Sequence, residues 1–257
     1  MNLSRSDLKE LEQKSELLVR NCGKELVYFW NKKHTVTYKN IRDVVTEVDV
    51  KVENELREKL HKLLPEAGFI VEEGKTEKKK IYNWVIDPID GTKNYVYGLP
   101  MFFTQIALLE NGKPILGIVY NPVSNQMFSA SLGSGSYLND SRIVPPKREK
   151  LAESIIDIDF GGKTADLGWK TAIFSSFVQK FYRVRVAGGF LFIYLTTGAI
   201  DAYLGLDQGI KIVDIMPGKV ILRECGIRVE TVELSRNKQV LVAANSSLFA
   251  KVVRLLV

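Results

Sequence analysis

The 257-residue chain has few of the side chains on which most metal and covalent chemistry depends. It contains two histidines, His34 and His61, and two cysteines, Cys22 and Cys225, which lie far apart in the sequence. A zinc site takes its ligands from clusters of these residue types, so a typical zinc site is nearly excluded. The cysteines are expected to be reduced core residues. Carboxylates must therefore carry whatever chemistry the chain performs.

Long apolar runs are also missing, since no stretch approaches the roughly 20 residues needed to span a bilayer. The first residues, MNLSRSDLKELEQ, have a charged, helical pattern rather than that of a signal peptide. The sequence therefore predicts a cytoplasmic protein. The net charge of +6 favours anionic partners, such as phosphorylated small molecules or nucleic acid. A solvated, lysine-rich surface is the alternative explanation of that charge.

Apolar periodicity predicts an antiparallel α+β half followed by an alternating α/β half. The first half is expected to contain helices over 7–30 and 48–64, short strands ending near Val71 and Asp87, and a meander of strands over 102–138. Thr46 and Asp49 have the spacing of a capping box at the start of the second helix.

A polar segment with two prolines, VPPKREK at 144–150, indicates a domain boundary. We therefore expect an N-terminal α+β domain over 1–145 that carries most of the acids discussed below. A C-terminal α/β domain over 146–257 is expected to contribute Asp214 and a wall of the substrate pocket.

Acidic side chains follow two of the predicted strands. Glu72 ends one strand, and the stretch VIDPIDGTKNY (85–95) places Asp87 and Asp90 around a proline after another. Mg²⁺ prefers oxygen ligands, usually one or two carboxylates with waters and substrate phosphate. Two such ions about 3.5–4 Å apart can clamp the attacking water and the leaving oxygen of a displacement at phosphorus. The Ile89 carbonyl in the same turn can add a further ligand.

Gly91 and Thr92 come directly after these acids. If a helix begins there, its N–H groups suit a phosphate, and Gly91 allows the backbone to approach closely. The Thr92 hydroxyl can position a water. The simpler alternative is a connecting turn, because Asp-Pro and Asp-Gly are common turn dipeptides.

Taken together, these motifs resemble those of the inositol monophosphatase family. The family contains Mg²⁺-dependent, lithium-sensitive phosphomonoesterases, archaeal-type fructose-1,6-bisphosphatases and phosphoadenosine phosphate phosphatases. The resemblance rests on WVIDPIDGTKNYVYGLP (84–100), VEEG (71–74), DVVTEVD (43–49) and IDAYLGLDQGIKIVDIMPG (200–218), and it extends to ANSS near the end of the chain. It implies a layered α/β/α/β/α sandwich with an antiparallel N-terminal sheet and a mixed C-terminal sheet, and a homodimer.

The resemblance also implies roles for individual residues and a cofactor of two or three Mg²⁺ ions, for which Mn²⁺ can substitute. The implied metal ligands are Glu72, Asp87 (bridging two ions), Ile89, Asp90 and Asp214. The implied catalytic residues are Asp49, Thr92 and Glu72, the first two acting on the attacking water. The expected substrate contacts are Gly91, Thr92, Gly188, Gly189 and Asp207. Asp49 has an alternative reading as an acid that only stabilises the first turn of its helix.

Departures from the family pattern fall around the expected substrate pocket. Val71 stands where the family usually has glycine, and Val213 stands where many members have tryptophan. The usual Gly-Ser/Thr-Ala-Ala run is replaced by VAGG (186–189), which is followed by apolar residues. The acids themselves are all present.

These observations predict a Mg²⁺-dependent phosphomonoesterase that acts on small polyol or sugar phosphates and resembles an inositol-1-phosphatase. Within the family, the alternatives are a fructose-1,6-bisphosphatase or a 3′-phosphoadenosine 5′-phosphate phosphatase. An alternative of another class is a binding protein that uses a basic surface of the same fold for RNA or a protein partner.

Overall fold

A computed structural model describes residues 3–30, 32, 35–40, 43–77, 80–161, 167–206, 211–234 and 238–256. Its helices and strands, in chain order, are α1 (Arg5–Trp30), β1 (Val36–Asn40), β2 (Asp43–Thr46), α2 (Glu47–Leu63), β3 (Gly68–Val71), β4 (Tyr82–Asp90), α3 (Thr92–Val96), β5 (Phe103–Glu110), β6 (Lys113–Asn121), β7 (Gln126–Ser131), β8 (Gly135–Leu138), β9 (Ser141–Arg142), β10 (Ile155–Asp159), α4 (Leu167–Val178), β11 (Arg183–Arg185), β12 (Ala202–Gly205), α5 (Ile212–Glu224), β13 (Arg228–Leu234), β14 (Lys238–Ala244) and α6 (Ser246–Leu256). Short 3₁₀ helices cover Leu151–Glu153 and Gly189–Leu195.

The chain divides into two compact units. The first comprises Met1–Arg142 together with Lys211–Glu224, and the second comprises Ile143–Ile210 together with Cys225–Val257. The segment that carries Asp214 thus groups with the first unit, whereas the sequence predicted it to belong to the second domain.

Packing of α5 on the large sheet explains this grouping. Val213 lies in one apolar cluster with Val85, Ala107 and Leu109 of strands β4 and β5. At Gly117 on β6, a Cβ atom would lie 2.2 Å from the Pro217 carbonyl oxygen of α5. Only a residue without a side chain allows the helix to approach this closely.

In the described part of the first unit, seven strands form one sheet in the order β3-β4-β5-β6-β7-β8-β9. All neighbours are antiparallel except β3 and β4, which are parallel. The predicted meander is confirmed, including its Asn111-Gly112 turn, where both residues have positive φ. Because β3 and β4 run in the same direction, the residues that follow them emerge at the same edge.

Both faces of this sheet are covered. Trp84 and Ile86 of β4 point into the core that α1 and α2 cover, whereas Val85 between them points towards α5. Because side chains on both faces of β4 are covered, the strand is buried from Tyr82 to Ile89 and its sequence is mostly apolar.

The described part of the second unit contains a mixed sheet in the order β11-β10-β12-β14-β13. Strand β10 is parallel to β11 and β12, and the remaining pairs are antiparallel. Within the described ranges, no helix has both the length and the apolar character needed to cross a membrane.

Candidate active site

Asp87 lies at the centre of an acidic group in the first unit. The side chain is buried, and its Oδ1 atom has no hydrogen-bond partner among the described residues. Burial raises the pKa of this carboxyl well above its usual range, and the negative charges of Glu72, Asp90 and Asp214 raise that pKa further. The structure therefore brings together the four acids that the sequence singled out as metal ligands.

Strand register places Glu72 beside Asp87. Val71, the last residue of β3, pairs with Ile86 of β4. The next residue on each side is an acid, Glu72 just beyond β3 and Asp87 within β4, so the two carboxylates lie side by side.

A β-bulge brings Asp90 to the same side of the sheet as Asp87. In a regular strand, residues three positions apart face opposite sides. Here Asp87 pairs with Gln105 and Asp90 pairs with Phe103, so two residues of β4 lie opposite Thr104 alone. The extra residue places Asp87 and Asp90 on the same side of the sheet. Pro88, which has no N–H, lies within the bulge, so no backbone hydrogen bond between the strands is lost there.

Polar side chains of β5 hold the bulge in place. The Gln105 amide donates a short hydrogen bond to Asp90 Oδ2, and the Thr104 hydroxyl donates to the Pro88 carbonyl oxygen at 3.0 Å. Both side chains are buried. The orientation of Asp90 is therefore fixed by the neighbouring strand rather than by its own turn.

The turn after β3 is anchored by Glu53 of α2. Its carboxylate accepts hydrogen bonds from the backbone N–H groups of Glu73 (2.8 Å) and Gly74 (2.7 Å). This anchoring presents Glu72 towards the other acids. The Glu72 carboxylate in turn accepts a hydrogen bond from Lys211 Nζ at 2.7 Å.

Asp49 and Thr92 form a second, adjoining group. The Thr46 backbone N–H donates to Asp49 Oδ2 at 2.8 Å and the Asp49 backbone N–H donates to the Thr46 hydroxyl oxygen at 3.4 Å, which confirms the capping box. The Thr46 hydroxyl also donates to Asp49 Oδ2 at 2.5 Å. The other oxygen, Asp49 Oδ1, lies 3.3 Å from the Thr92 hydroxyl. Burial raises the pKa of Asp49 to about 6, against the lowering effect of its bonds to Thr46. Asp49 is thus a helix cap through one oxygen and a neighbour of Thr92 through the other.

The Thr92 hydroxyl also contacts the Ile89 carbonyl oxygen at 2.8 Å. Gly91, between them, adopts a left-handed conformation with φ of 87° and immediately precedes helix α3. A Cβ at Gly91 would lie 3.0 Å from the Met101 carbonyl oxygen, so both conformation and space favour glycine. The turn therefore collects the Ile89 carbonyl, the Asp90 carboxylate and the Thr92 hydroxyl within four residues.

The remaining predicted substrate residues are Gly188, Gly189 and Asp207. Gly188, with φ of 112°, and Gly189, which opens a 3₁₀ helix, belong to the second unit. Asp207 lies outside the described residues.

The chemistry of the first-unit acids fits a hard divalent cation. Within the described ranges, no three acidic, histidine or cysteine side chains form a ready-made metal cluster. Instead, Lys211 bonds Glu72 and Gln105 bonds Asp90. Among the described residues, Asp87 nevertheless keeps a buried oxygen without a donor beside three other acids, and the candidate ligand atoms are all oxygen. A hard cation would satisfy that oxygen and offset the repulsion.

Sequence reasoning missed three residues that shape the site. Glu53 lies one helical turn after Asp49, a spacing that places both on one face of α2. Gln105 is a polar residue within the apolar run FTQIALLE, which is the only signal it gives in sequence. The contact of Lys211 with Glu72 carries no signal in sequence, because it joins residues 139 positions apart.

Comparison with known proteins supports the resemblance. The Inositol monophosphatase family matches residues 7–257 of the chain. The Nus factor SuhB of Xylella fastidiosa is 31% identical over 212 residues, which cover 80% of this chain and 76% of that protein. The fructose-1,6-bisphosphatase/inositol-1-monophosphatase of Thermotoga maritima is 32% identical over 216 residues, with coverage of 81% and 80%.

Solved structures show the same fold. The extragenic suppressor protein SuhB of Bartonella henselae superposes with a TM-score of 0.87 at 26% identity, covering 96% of this chain and 98% of that one. The inositol monophosphatase of Thermotoga maritima gives a TM-score of 0.83 at 28% identity, with coverage of 94% of each chain. The predicted family and fold class are thus confirmed: the chain belongs to the inositol monophosphatase family and is a phosphatase with that family's fold.

Proposed function

We propose that the protein is a Mg²⁺-dependent phosphomonoesterase that hydrolyses small polyol or sugar phosphates with a metal-activated water. The observation that carries the proposal is Asp87, a buried carboxylate with Glu72, Asp90 and Asp214 as charged neighbours and with one oxygen that has no donor among the described residues. An isolated buried carboxylate costs several kcal/mol unless it is neutralised or paired. The convergence of four acids therefore supports a cation-binding site.

The assignment of ligands follows from the contacts. Glu72 follows the strand beside Asp87, and Asp90 lies three residues further along the same strand as Asp87, so Asp87 would be the ligand shared by two ions. Asp214 reaches the group from the first turn of α5. The Ile89 carbonyl accepts one hydrogen bond from Thr92 and has a second lone pair for a metal. When bound, the cations supply Lewis-acid stabilisation of the phosphate and lower the pKa of a bound water.

The protein's own contribution to water activation comes from Asp49 and Thr92. A threonine hydroxyl can donate one hydrogen bond while accepting others. The single proton of Thr92 can be donated to the Ile89 carbonyl oxygen at 2.8 Å or to Asp49 Oδ1 at 3.3 Å. In either case the lone pairs of the hydroxyl can accept a hydrogen bond from a water and so orient it. Thr46 holds Asp49 in place by binding its other oxygen.

This role predicts that Thr92→Ala and Asp49→Asn each lower kcat by roughly 10²–10⁴-fold, the usual range for general acid–base contributions. Metal binding, measured by titration calorimetry, should persist in both variants because neither is a proposed ligand. Thr92→Ser is the matched control, since it keeps the hydroxyl and should retain most of the activity. If kcat were unchanged in both Thr92→Ala and Asp49→Asn, Asp49 would be a helix cap and nothing more.

We expect substrate choice to depend on residues 186–191 and 205–211, the wall that the sequence predicts for the substrate. This wall offers apolar side chains where the family often has polar ones. A site with few buried polar partners cannot strongly reject an analogue that lacks one hydroxyl. Fructose-1,6-bisphosphatase activity is therefore included in the proposal as a second activity, in keeping with the name of the Thermotoga maritima relative.

We therefore expect permissive hydrolysis in a panel assay of phosphate release with Mg²⁺. The kcat/KM values for inositol 1-phosphate, fructose 1,6-bisphosphate and glycerol 2-phosphate should lie within about two orders of magnitude, or ~3 kcal/mol. Adenosine 3′,5′-bisphosphate in the same panel tests the nucleotide alternative. A preference above about ten-thousandfold for any one compound would contradict the permissive wall, and no release from any of them would contradict the proposed function.

A binding role is the second candidate, favoured by the Nus factor SuhB relatives and by the net charge of +6. Salt-sensitive retention of RNA without phosphate release would support it.

The cytoplasmic location and the homodimer belong to the main proposal and rest on the sequence alone.

A further inference from the structure

Lys211 places a positive charge directly on the proposed metal site. Its Nζ atom donates a hydrogen bond to Glu72 Oε1 at 2.7 Å. The lysine side chain is 50% exposed, whereas that of Glu72 is 15% exposed. Lys211 immediately precedes α5, and its backbone carbonyl accepts a hydrogen bond from the Asp214 N–H at 3.3 Å. The lysine is thus bonded to one of the four acids and lies one turn before another.

We propose that Lys211 is a tethered counter-ion that competes with the divalent cation for Glu72 and thereby lowers the metal affinity of the enzyme. This inference rests on the proposed function, because it presumes that the four acids take a divalent cation. It adds a regulatory element to that site: an ammonium group of the chain itself that neutralises Glu72 when no metal is bound.

The competition follows from charge and distance. Mg²⁺ binds carboxylate oxygens at about 2.0–2.1 Å. An ammonium held on the same small carboxylate would lie only a few ångströms from that ion, and two cations so close repel each other strongly at a half-buried site. The metal and the Lys211–Glu72 bond are therefore mutually exclusive or nearly so.

Lys211 is able to leave when the metal arrives. Its half-exposed ammonium is on a flexible four-carbon stem, so the charge can move into water without being buried elsewhere. Glu72 cannot follow it, because Glu53 anchors the backbone of the two residues after Glu72. Metal binding must then break a charge-assisted hydrogen bond, which costs free energy that a neutral residue at 211 would not require.

The decisive measurement is the dissociation constant of Mn²⁺, obtained by electron paramagnetic resonance on EDTA-stripped, desalted protein. Lys211→Gln removes the competing charge and should bind Mn²⁺ roughly three- to thirtyfold more tightly than wild type, the range expected for a partly exposed charged hydrogen bond. Lys211→Ala should behave in the same way. Lys211→Arg should stay close to wild type, because arginine also pairs with a carboxylate.

Lys75→Gln is the matched control. Lys75 is exposed and lies three residues after Glu72, and no ion pair involves it within the part of the chain that the structure describes. Its substitution removes the same charge from the same neighbourhood. A change of less than about twofold at Lys75, beside the larger change at Lys211, shows that the effect comes from the bond to Glu72 rather than from general electrostatics.

Thermal unfolding gives a second readout. In EDTA, Lys211→Gln should unfold at a lower temperature than wild type, because Glu72 then repels Asp87 without compensation. With Mn²⁺ in excess, the increase in Tm should be larger for the variant than for wild type.

The outcomes separate the inference from the function on which it rests. Tighter Mn²⁺ binding by the glutamine and alanine variants, but not by arginine, supports the inference. Unchanged or weaker binding overturns it, as does an equal change in Lys75→Gln, while phosphate release by the wild type keeps the proposed function. A change in KM with an unchanged Kd also overturns it, since it would make Lys211 a phosphate-binding residue. Failure of the wild-type protein to bind Mn²⁺ or Mg²⁺ at all would overturn both.

Discussion

Replacing Asp87 by asparagine should abolish phosphate release while the protein stays folded. The substitution keeps the shape of the side chain and removes the charge that both proposed ion sites share. Metal ions contribute several kcal/mol of transition-state stabilisation in such enzymes, so the loss in kcat/KM should be roughly 10³-fold or more, about 4 kcal/mol.

The stability of Asp87→Asn provides an independent check, because we expect stability to stay the same or rise while activity falls. Burial and three acidic neighbours raise the pKa of Asp87 above its unfolded value, so this carboxyl lowers the free energy of unfolding at every pH above the unfolded pKa. At neutral pH and in EDTA, Asp87→Asn should therefore have a Tm equal to or higher than that of wild type. Loss of activity without loss of stability is the pattern expected of a residue retained for function.

Asp201→Asn is the matched control for a buried aspartate. Asp201, in the second unit, accepts hydrogen bonds from Arg148 (2.8 Å) and the Ile155 N–H (2.9 Å), so its charge is paired. Its substitution should lower Tm and leave most of the activity. Near wild-type rates in purified, folded Asp87→Asn would show that Asp87 is not the bridging acid.

The sequence predicted the acidic turn because the relevant signals there are local. Asp87, Asp90 and Thr92 lie within six residues, and strand patterns before Glu72 and Asp87 implied that both acids leave the sheet at strand ends. Parallel pairing of β3 and β4 then places them side by side. This part of the site could therefore be predicted from residues that are close together in the sequence.

The contacts that hold these acids in place could not be predicted in the same way. Gln105 bonds Asp90 from the neighbouring strand, Glu53 binds the turn after Glu72 from a helix, and Lys211 bonds Glu72 across 139 positions. Each of these contacts depends on the register of two elements, which a single sequence does not specify. Polar residues of this kind look like ordinary surface side chains until the fold brings them to the site.

The division of the chain into units likewise depends on packing between distant elements, which the sequence does not specify. Helix α5 follows β12 in sequence, and a reading along the chain places both in one domain. The structure instead packs Val213 of α5 against Val85 and Ala107 of the first unit. The apolar character of Val213 was visible in the sequence, but nothing there indicated which sheet it would cover. Asp214 joins the other acids because of this packing.

Removal of divalent metal should abolish activity, and this is the second large effect that we expect. The proposed ligands are all oxygen atoms, a donor set that suits Mg²⁺ or Mn²⁺ rather than softer metals. Protein treated with EDTA and desalted into metal-free buffer should therefore release no phosphate from inositol 1-phosphate above the background rate. Added Mg²⁺ should restore the rate fully, and Mn²⁺ should restore it at least in part.

Two controls make the metal experiment specific. Zn²⁺ should not substitute well, since no histidine or cysteine is among the proposed ligands. Asp87→Asn, measured alongside, should stay inactive at every Mg²⁺ concentration, which distinguishes loss of the site from loss of the ion. Family resemblance further predicts inhibition by lithium and by excess Mg²⁺. Full turnover by a chelated, metal-free sample would contradict the metal-dependent mechanism, because the four acids would then have to work without the cation proposed to offset their mutual repulsion.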